Sequence, residues 1–277
     1  MRSVRRSATV VLLALVAVSC GSAAPQATPA ASSTTSSVAD PTSTTTVPPS
    51  TTTTSAPVTP TRATVPTTTV PTTTTTAGAV LPDARLGDVG SAGQAVLVTA
   101  AAPGATTATL TAYERVGTAW RAVYGPWTAR VGTRGIAPPG AKREGDGRTP
   151  SGVYAFDFFF GVLADPGVNF AYRRITSRSI VWDDDPASPT YNLWRDSATE
   201  SVGADPEPMY TTPAYEYGAV IAYNADRTPG LGSAIFLHES TGGPTAGCVS
   251  LPVDQLLSVL RWLDPARQPR IAIGIAS

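Results

Sequence analysis

The chain has 277 residues, 42% of them hydrophobic, with 20 basic and 20 acidic side chains that cancel to a formal net charge of zero. That balance lacks the basic excess by which nucleic-acid binders grip phosphates, so no nucleic-acid partner is expected. One histidine and two cysteines are also too few for an ordinary structural zinc site, and neither a metal nor another cofactor is expected.

The first stretch, MRSVRRSATVVLLALVAVSC, sets Arg2, Arg5 and Arg6 ahead of an apolar run over residues 8–18 and a small residue before Cys20. This is the three-part layout of a secretory signal, and the run is too short for an ordinary membrane-spanning helix. Residues 1–20 are therefore expected to direct export. The AVSC sequence followed by Gly21 resembles a bacterial lipobox, with Ala17 where leucine is usual. The resemblance implies that Cys20 is lipidated and anchors the chain to the outer face of the cytoplasmic membrane; cleavage and secretion is the alternative.

Residues 21–80 are largely Thr, Ser, Ala and Pro, as in STTSSVADPTSTTTVPPSTTTT. Such a segment has too little apolar surface to offset the entropy of ordering it, and its prolines favour extended chain. It reads as a disordered spacer, open to O-glycosylation, that would let an anchored domain reach into the cell wall.

Residues 81–277 have the composition of one mainly β domain. Alternating apolar and polar residues predict strands at QAVLVTA (94–100), TATLTAYERV (107–116) and GTAWRAVYG (117–125), the last two forming a hairpin about Gly117-Thr118. Further strands are predicted at WTARVGTRG, GVYAFDFFF, RSIVWDD, YGAVIAYN, SAIFLHE and RIAIGIAS. One segment has helical periodicity: in PVDQLLSVLRWLD, residues Val253, Leu256, Leu257, Leu260 and Leu263 share a face. Pro252 suits its first turn and Asp264-Pro265 its end.

Between these elements, IVWDDDPASPTYNLW sets Trp182, Tyr191 and Asn192 near three consecutive aspartates in a proline-rich stretch. It reads either as a substrate-binding loop over a cleft or as a surface loop whose aromatics pack on the sheet. GDGRTPSG (145–152) suits a ligand-binding turn by its glycines and Arg148, but its ordinary turn chemistry reads more readily as a structural turn feeding the next strand.

The stretch FLHESTGGPTAGCVSLP (236–252) holds the only histidine, His238, and the only cysteine outside the leader, Cys248. His238 falls near the end of a predicted strand, and the loop of small residues after it allows the chain to double back. A thiol within reach of an imidazole can be activated as a nucleophile, and an adjacent imidazolium would lower its pKa. Gly247, free of a side chain, lets backbone N–H groups near Cys248 face a developing oxyanion. A lone histidine at a strand end also suits a hydrogen-bonded rim residue, and a lone cysteine suits a small buried hydrophobe.

GDGRTPSGVYAF and FLHESTGGPTAGCVSLP together resemble the two signature regions of the L,D-transpeptidase catalytic domain family, cysteine enzymes that remodel bacterial peptidoglycan. The resemblance implies an L,D-transpeptidase-like β-sandwich or barrel with a short helix after Cys248, acting on peptidoglycan stem peptides; a monomer is expected. It implies Cys248 as nucleophile, His238 as base and then acid, and the Glu239 carbonyl as orienter of the ring. The N–H groups of Gly247 and Cys248 would form the oxyanion hole. The implied activity is 3-3 cross-linking with release of D-alanine; the alternatives are an L,D-carboxypeptidase and a non-catalytic cell-wall binding lipoprotein. Ala246 and Ser250 stand where many members carry His and Asn or Arg, and the 238–248 loop is short. These differences fall on the acceptor side and the loop.

Overall fold

A computed structural model describes residues 89–276; the expected leader, Cys20 and spacer lie outside the described residues. Eight strands close on themselves. They are β1 (Gln94–Ala100), β2 (Thr107–Val116), β3 (Ala119–Arg130), β4 (Gly152–Gly161), β9 (Gly218–Ile221), β10 (Phe236–Glu239), β11 (Val249–Leu251) and β12 (Arg270–Ile275). Their order is β12-β1-β2-β3-β11-β10-β9-β4, and pairing of β4 with β12 completes the barrel-like ring. Closure removes the exposed edges that an open sheet would have to protect. A short strand β5 (Tyr172–Arg174) adds to β4, and β6 (Ile180–Asp183), β7 (Leu193–Asp196) and β8 (Glu207–Pro208) form a separate three-stranded sheet. The fold is thus mainly β, as the alternation indicated.

The hairpin of β2 and β3 turns at Gly117, whose φ is +62°. The WTAR segment, expected to be a separate strand, is instead the second half of β3. The chain passes Gly125-Pro126 without leaving the sheet because a register shift opposite 110–113 absorbs the irregularity. A β-carbon at Gly125, where φ is +89°, would run into the Leu110 carbonyl, so this crossing requires glycine.

The ring packs a main core on one face, and several of its strands also pack smaller clusters on the other. The main core takes Val96, Leu110, Phe159, Leu237, Val249 and Leu251, among others, from the ring, together with one side of helix α1 (Val253–Trp262). A second core on the opposite face joins Phe158, Phe160 and Phe236 to Trp182 of β6 and to Tyr215. The FDFFF run serves both: a register irregularity between Phe156 and Phe159 lets Phe156 and Phe159 face one core while Phe158 and Phe160 face the other.

Helix α1 buries Leu256, Val259 and Leu260, and Leu263 just beyond it. Val253 and Leu257, expected on the core face, are only half-buried. The stripe is centred one position away from the predicted one, with Val259 inside it. The helix packs against β9, β10 and β11 and follows β11 directly, so its burial also fixes the strand that Cys248 precedes.

Asp183 organises the small sheet. Its side chain is 0% exposed and accepts hydrogen bonds from Ser188 Oγ at 2.6 Å, Gly203 N at 3.1 Å, Asp185 N at 3.2 Å and Thr190 Oγ1. Burial opposes its charge, but the hydrogen bonds outweigh it and hold the carboxyl below its ordinary value. Stability gained this way is present above the unfolded carboxylate pKa and is lost as pH falls through the depressed folded value. Asp183→Asn is therefore expected to cost on the order of 3 kcal/mol at pH 7, and the loss should shrink as pH falls below about 4. Denaturant melts of both proteins across this range check it; an equal loss at every pH would contradict the assignment.

Candidate active site

Strand pairing brings His238 and Cys248 to one face of the ring. β10 and β11 run parallel, with Leu237 opposite Val249 and His238 opposite Ser250. In parallel strands paired residues point the same way and alternate along the chain. His238, Ser250 and Cys248 therefore share the face opposite the main core, where Leu237 and Val249 lie. The connection between these strands, 240–248, is shorter than the crossover of a dozen or more residues that parallel neighbours usually need. It manages by pairing on its way with the chain beyond β3: Thr245 N donates to Val131 O at 2.9 Å, and Thr133 N to Thr245 O at 2.8 Å.

The GDGRTPSG turn supports Cys248 from below. Thr149 Oγ1 donates to the Cys248 carbonyl at 3.2 Å and accepts from Gly132 N at 2.9 Å, while Thr245 Oγ1 donates to the same carbonyl at 2.6 Å. Asp146 ties the turn together, accepting from Lys142 Nζ at 2.8 Å, Arg143 N at 2.8 Å and Arg148 N at 2.9 Å. Gly247 lies against this turn: a β-carbon there would stand 3.1 Å from Arg148 O and 3.2 Å from Ile235 Cδ1. Its N–H is turned toward Thr245 Oγ1, at 3.2 Å.

His238 Nδ1 lies 2.7 Å from the Glu239 carbonyl. A carbonyl only accepts, so in the neutral ring Nδ1 carries the proton and Nε2 keeps its lone pair. The Tyr215 ring meets the imidazole edge to face, centroids 5.3 Å apart. The Cys248 thiol is buried and free; Sγ donates to Ala234 O at 3.3 Å and accepts from Phe236 N at 3.3 Å. Burial pushes it well above the ordinary thiol value, with Glu207 adding to the rise and Phe236 N and Lys142 opposing it. Burial likewise lowers His238, outweighing the Glu239 and Ala214 carbonyls that favour the protonated ring. An imidazolium lowering a thiol pKa was the sequence expectation. The structure favours a neutral thiol and a neutral imidazole at rest, because desolvation penalises both charged forms.

Both residues line one cavity of about 320 Å³. Its wall also holds Tyr215, Glu207, Lys142 and Glu144, which no sequence motif marked, and Asp184 from the aspartate run of IVWDDDPASPTYNLW. Burial, then repulsion from Glu144 and neighbouring aspartates, raises Asp184 to about 6. Trp182, Tyr191 and Asn192 do not line this cavity. They are buried behind it: Trp182 Nε1 donates to Asn192 Oδ1 at 2.9 Å, Asn192 Oδ1 also accepts from Ala234 N at 3.2 Å, and Tyr191 Oη bonds Glu144. Their contacts steady the Ala234 backbone, the acceptor of the Cys248 thiol. No group of three or more His, Cys, Asp or Glu suited to a metal ion occurs among the described residues.

Gly247→Ala is expected to keep the fold while pushing the Cys248 backbone off the 145–152 turn by a few tenths of an ångström. Misplacement of this size at a reacting centre should slow modification of Cys248 and any turnover by about tenfold. Peptide-resolved alkylation kinetics check it; an unchanged rate would show that the close approach has no role.

A family model described as the L,D-transpeptidase catalytic domain matches residues 104–271, a span that runs from just before β2 into β12 and includes both His238 and Cys248. No curated protein and no solved structure matches the chain. The family acts on peptidoglycan stem peptides, and its fold is consistent with the ring and the one α-helix among the described residues. Since that match covers more than half of its length, the chain belongs to the L,D-transpeptidase catalytic domain family.

Proposed function

We propose that the protein is an exported peptidoglycan L,D-transpeptidase that forms 3-3 cross-links through a thioester on Cys248. The observation that carries this reading is the placement of His238 and Cys248 on one face of adjacent parallel strands, in one cavity. The Nδ1 contact with Glu239 O leaves Nε2 as a base.

In this reading the thiol rotates from Ala234 O toward His238. Sγ attacks the carbonyl of the diamino acid at position three of a stem tetrapeptide while its proton passes to Nε2. The N–H groups of Cys248 and Gly247 receive the oxyanion, the latter giving up its 3.2 Å bond to Thr245 Oγ1. Collapse breaks the C–N bond, His238 protonates the leaving amine, and D-alanine departs. An amine of a second stem then attacks the thioester, gives its proton to His238 and expels the sulfur, which takes the proton back. Donors preorganised for such an oxyanion are commonly worth about 3 kcal/mol each.

The sequence supports the same setting. Cys20 would carry the lipid anchor at the outer face of the cytoplasmic membrane, and residues 21–80 would serve as the tether, a flexible coil reaching roughly 5 to 6 Å times the square root of its length.

Because both groups rest neutral, attack is coupled to proton transfer, and the base form of His238 is required. Its depressed pKa places the neutral ring above that value, so the acid limb of kcat/KM should lie below pH 6.5; a limb centred above pH 7 would contradict the assignment. The reaction itself is tested with the full chain and a disaccharide-tetrapeptide, products followed by mass spectrometry with Cys248→Ala as control. Cross-linked dimer is expected. Tripeptide alone would indicate the L,D-carboxypeptidase, and neither product nor thioester would leave the non-catalytic lipoprotein.

A further inference from the structure

We propose that Glu207, held by Tyr215, is a positioning residue that sets the reactivity of Cys248 by its own charge: ionised it suppresses the thiolate, and neutral it releases it. The proposal deepens the proposed function, resting on Cys248 as nucleophile and His238 as base.

Glu207 stands on β8, in the small sheet that covers the face carrying both residues. Its carboxyl accepts from the Tyr215 hydroxyl, and the Tyr215 ring packs edge-on against both His238 and Phe236, with centroids at 5.3 and 5.7 Å. A chain of contacts thus runs from Glu207 through Tyr215 to the imidazole. All four polar members, Glu207, Tyr215, His238 and Cys248, line the same cavity.

The other charged groups facing Glu207 do not neutralise it. From the turn after β3 come Lys142 and Glu144, and from the β6–β7 connection comes Asp184. Lys142 is paired to Asp146 at 2.8 Å, and Glu144 bonds Tyr191 and, at 2.8 Å, Ser233 Oγ. Asp184 and Glu144 both oppose ionisation of Glu207. A carboxyl left without a cation in such a site is poised between its two states. Burial raises Glu207 to about 7, with the Tyr215 bond opposing and the two acids adding to the rise. The same carboxylate raises the Cys248 thiol.

As pH falls through neutrality Glu207 takes up a proton, and its repulsion of the thiolate disappears. This offsets, on the acid side, part of the loss of thiolate that a lone thiol would suffer. A merely structural Glu207 that holds Tyr215 in place would leave no such trace in a pH profile.

The test is the rate of iodoacetamide alkylation of Cys248 in the full chain against pH, read by mass spectrometry of the Cys248 peptide so that Cys20 does not contribute. In the native protein the logarithm of the rate should flatten between about pH 7 and 8 instead of climbing with unit slope. Glu207→Gln, which keeps the shape and a partner for Tyr215, should remove the flattening and speed alkylation at pH 8 by about tenfold. Unit slope throughout in the native protein overturns the proposal, and this reading needs no variant to fold. So does a Glu207→Gln profile that retains the flattening, or one raised by the same factor at every pH, the sign of a loosened cavity. Because the probe is alkylation, these failures leave the transpeptidase reading intact, whereas absence of cross-linked product bears on that reading alone.

Discussion

The site depends on the parallel pairing of β10 with β11 across the short 240–248 connection. A one-residue slip of β11 against β10 would turn Cys248 toward the main core that Leu237 and Val249 now help fill, and would part the thiol from His238. The register is secured from three sides: by those two apolar residues, by the bonds of Thr245 to the chain beyond β3, and by helix α1, whose buried leucines begin directly after β11. The small residues of TGGPTAG are therefore more than a flexible link. They let the connection lie flat against the 145–152 turn, which is why two distant signature stretches meet around a single carbonyl, that of Cys248.

Burial then decides the chemistry. An exposed thiol and imidazole could exchange a proton at rest, but in this cavity desolvation raises the one and lowers the other. The resting site stores a weak acid beside a weak base, and charge has to develop as substrate arrives. Glu207 on the surrounding wall bears on that step, since its carboxylate makes the thiolate costlier. The small sheet is thus a chemical as well as a structural cover.

Much of the fold could be read from residue alternation. The bounds of β1 and β2 match the predicted strands residue for residue, and the helix lies where its periodicity placed it. Strands β5, β7, β8 and β11 were missed because, unlike the equally short β6, β9 and β10, they do not sit within a longer apolar-rich run such as RSIVWDD, YGAVIAYN or SAIFLHE. The break expected within β3 failed because a bulge and a glycine let proline sit in a strand. His238 and Cys248 stood out because each is alone of its kind in the domain. Glu207 and Tyr215 did not, since EPMYTTPAYEYG has neither spacing nor rarity to mark it. Trp182, Tyr191 and Asn192 suit either a substrate-binding loop or a loop whose aromatics pack on the sheet, and their hydrogen bonds are met from within the fold, a distinction that only tertiary packing makes.

The central claim, that a neutral imidazole protonated on Nδ1 waits beside a neutral thiol, is most directly tested by the ¹⁵N spectrum of the ring. His238 is the chain's only histidine, so its two ring nitrogens can be followed through a pH titration without assignment. At pH 7 the spectrum should show a protonated Nδ1 and a bare Nε2, converting to the doubly protonated ring only below pH 6.5. A ring protonated on Nε2, or an imidazolium persisting at pH 7, would contradict it.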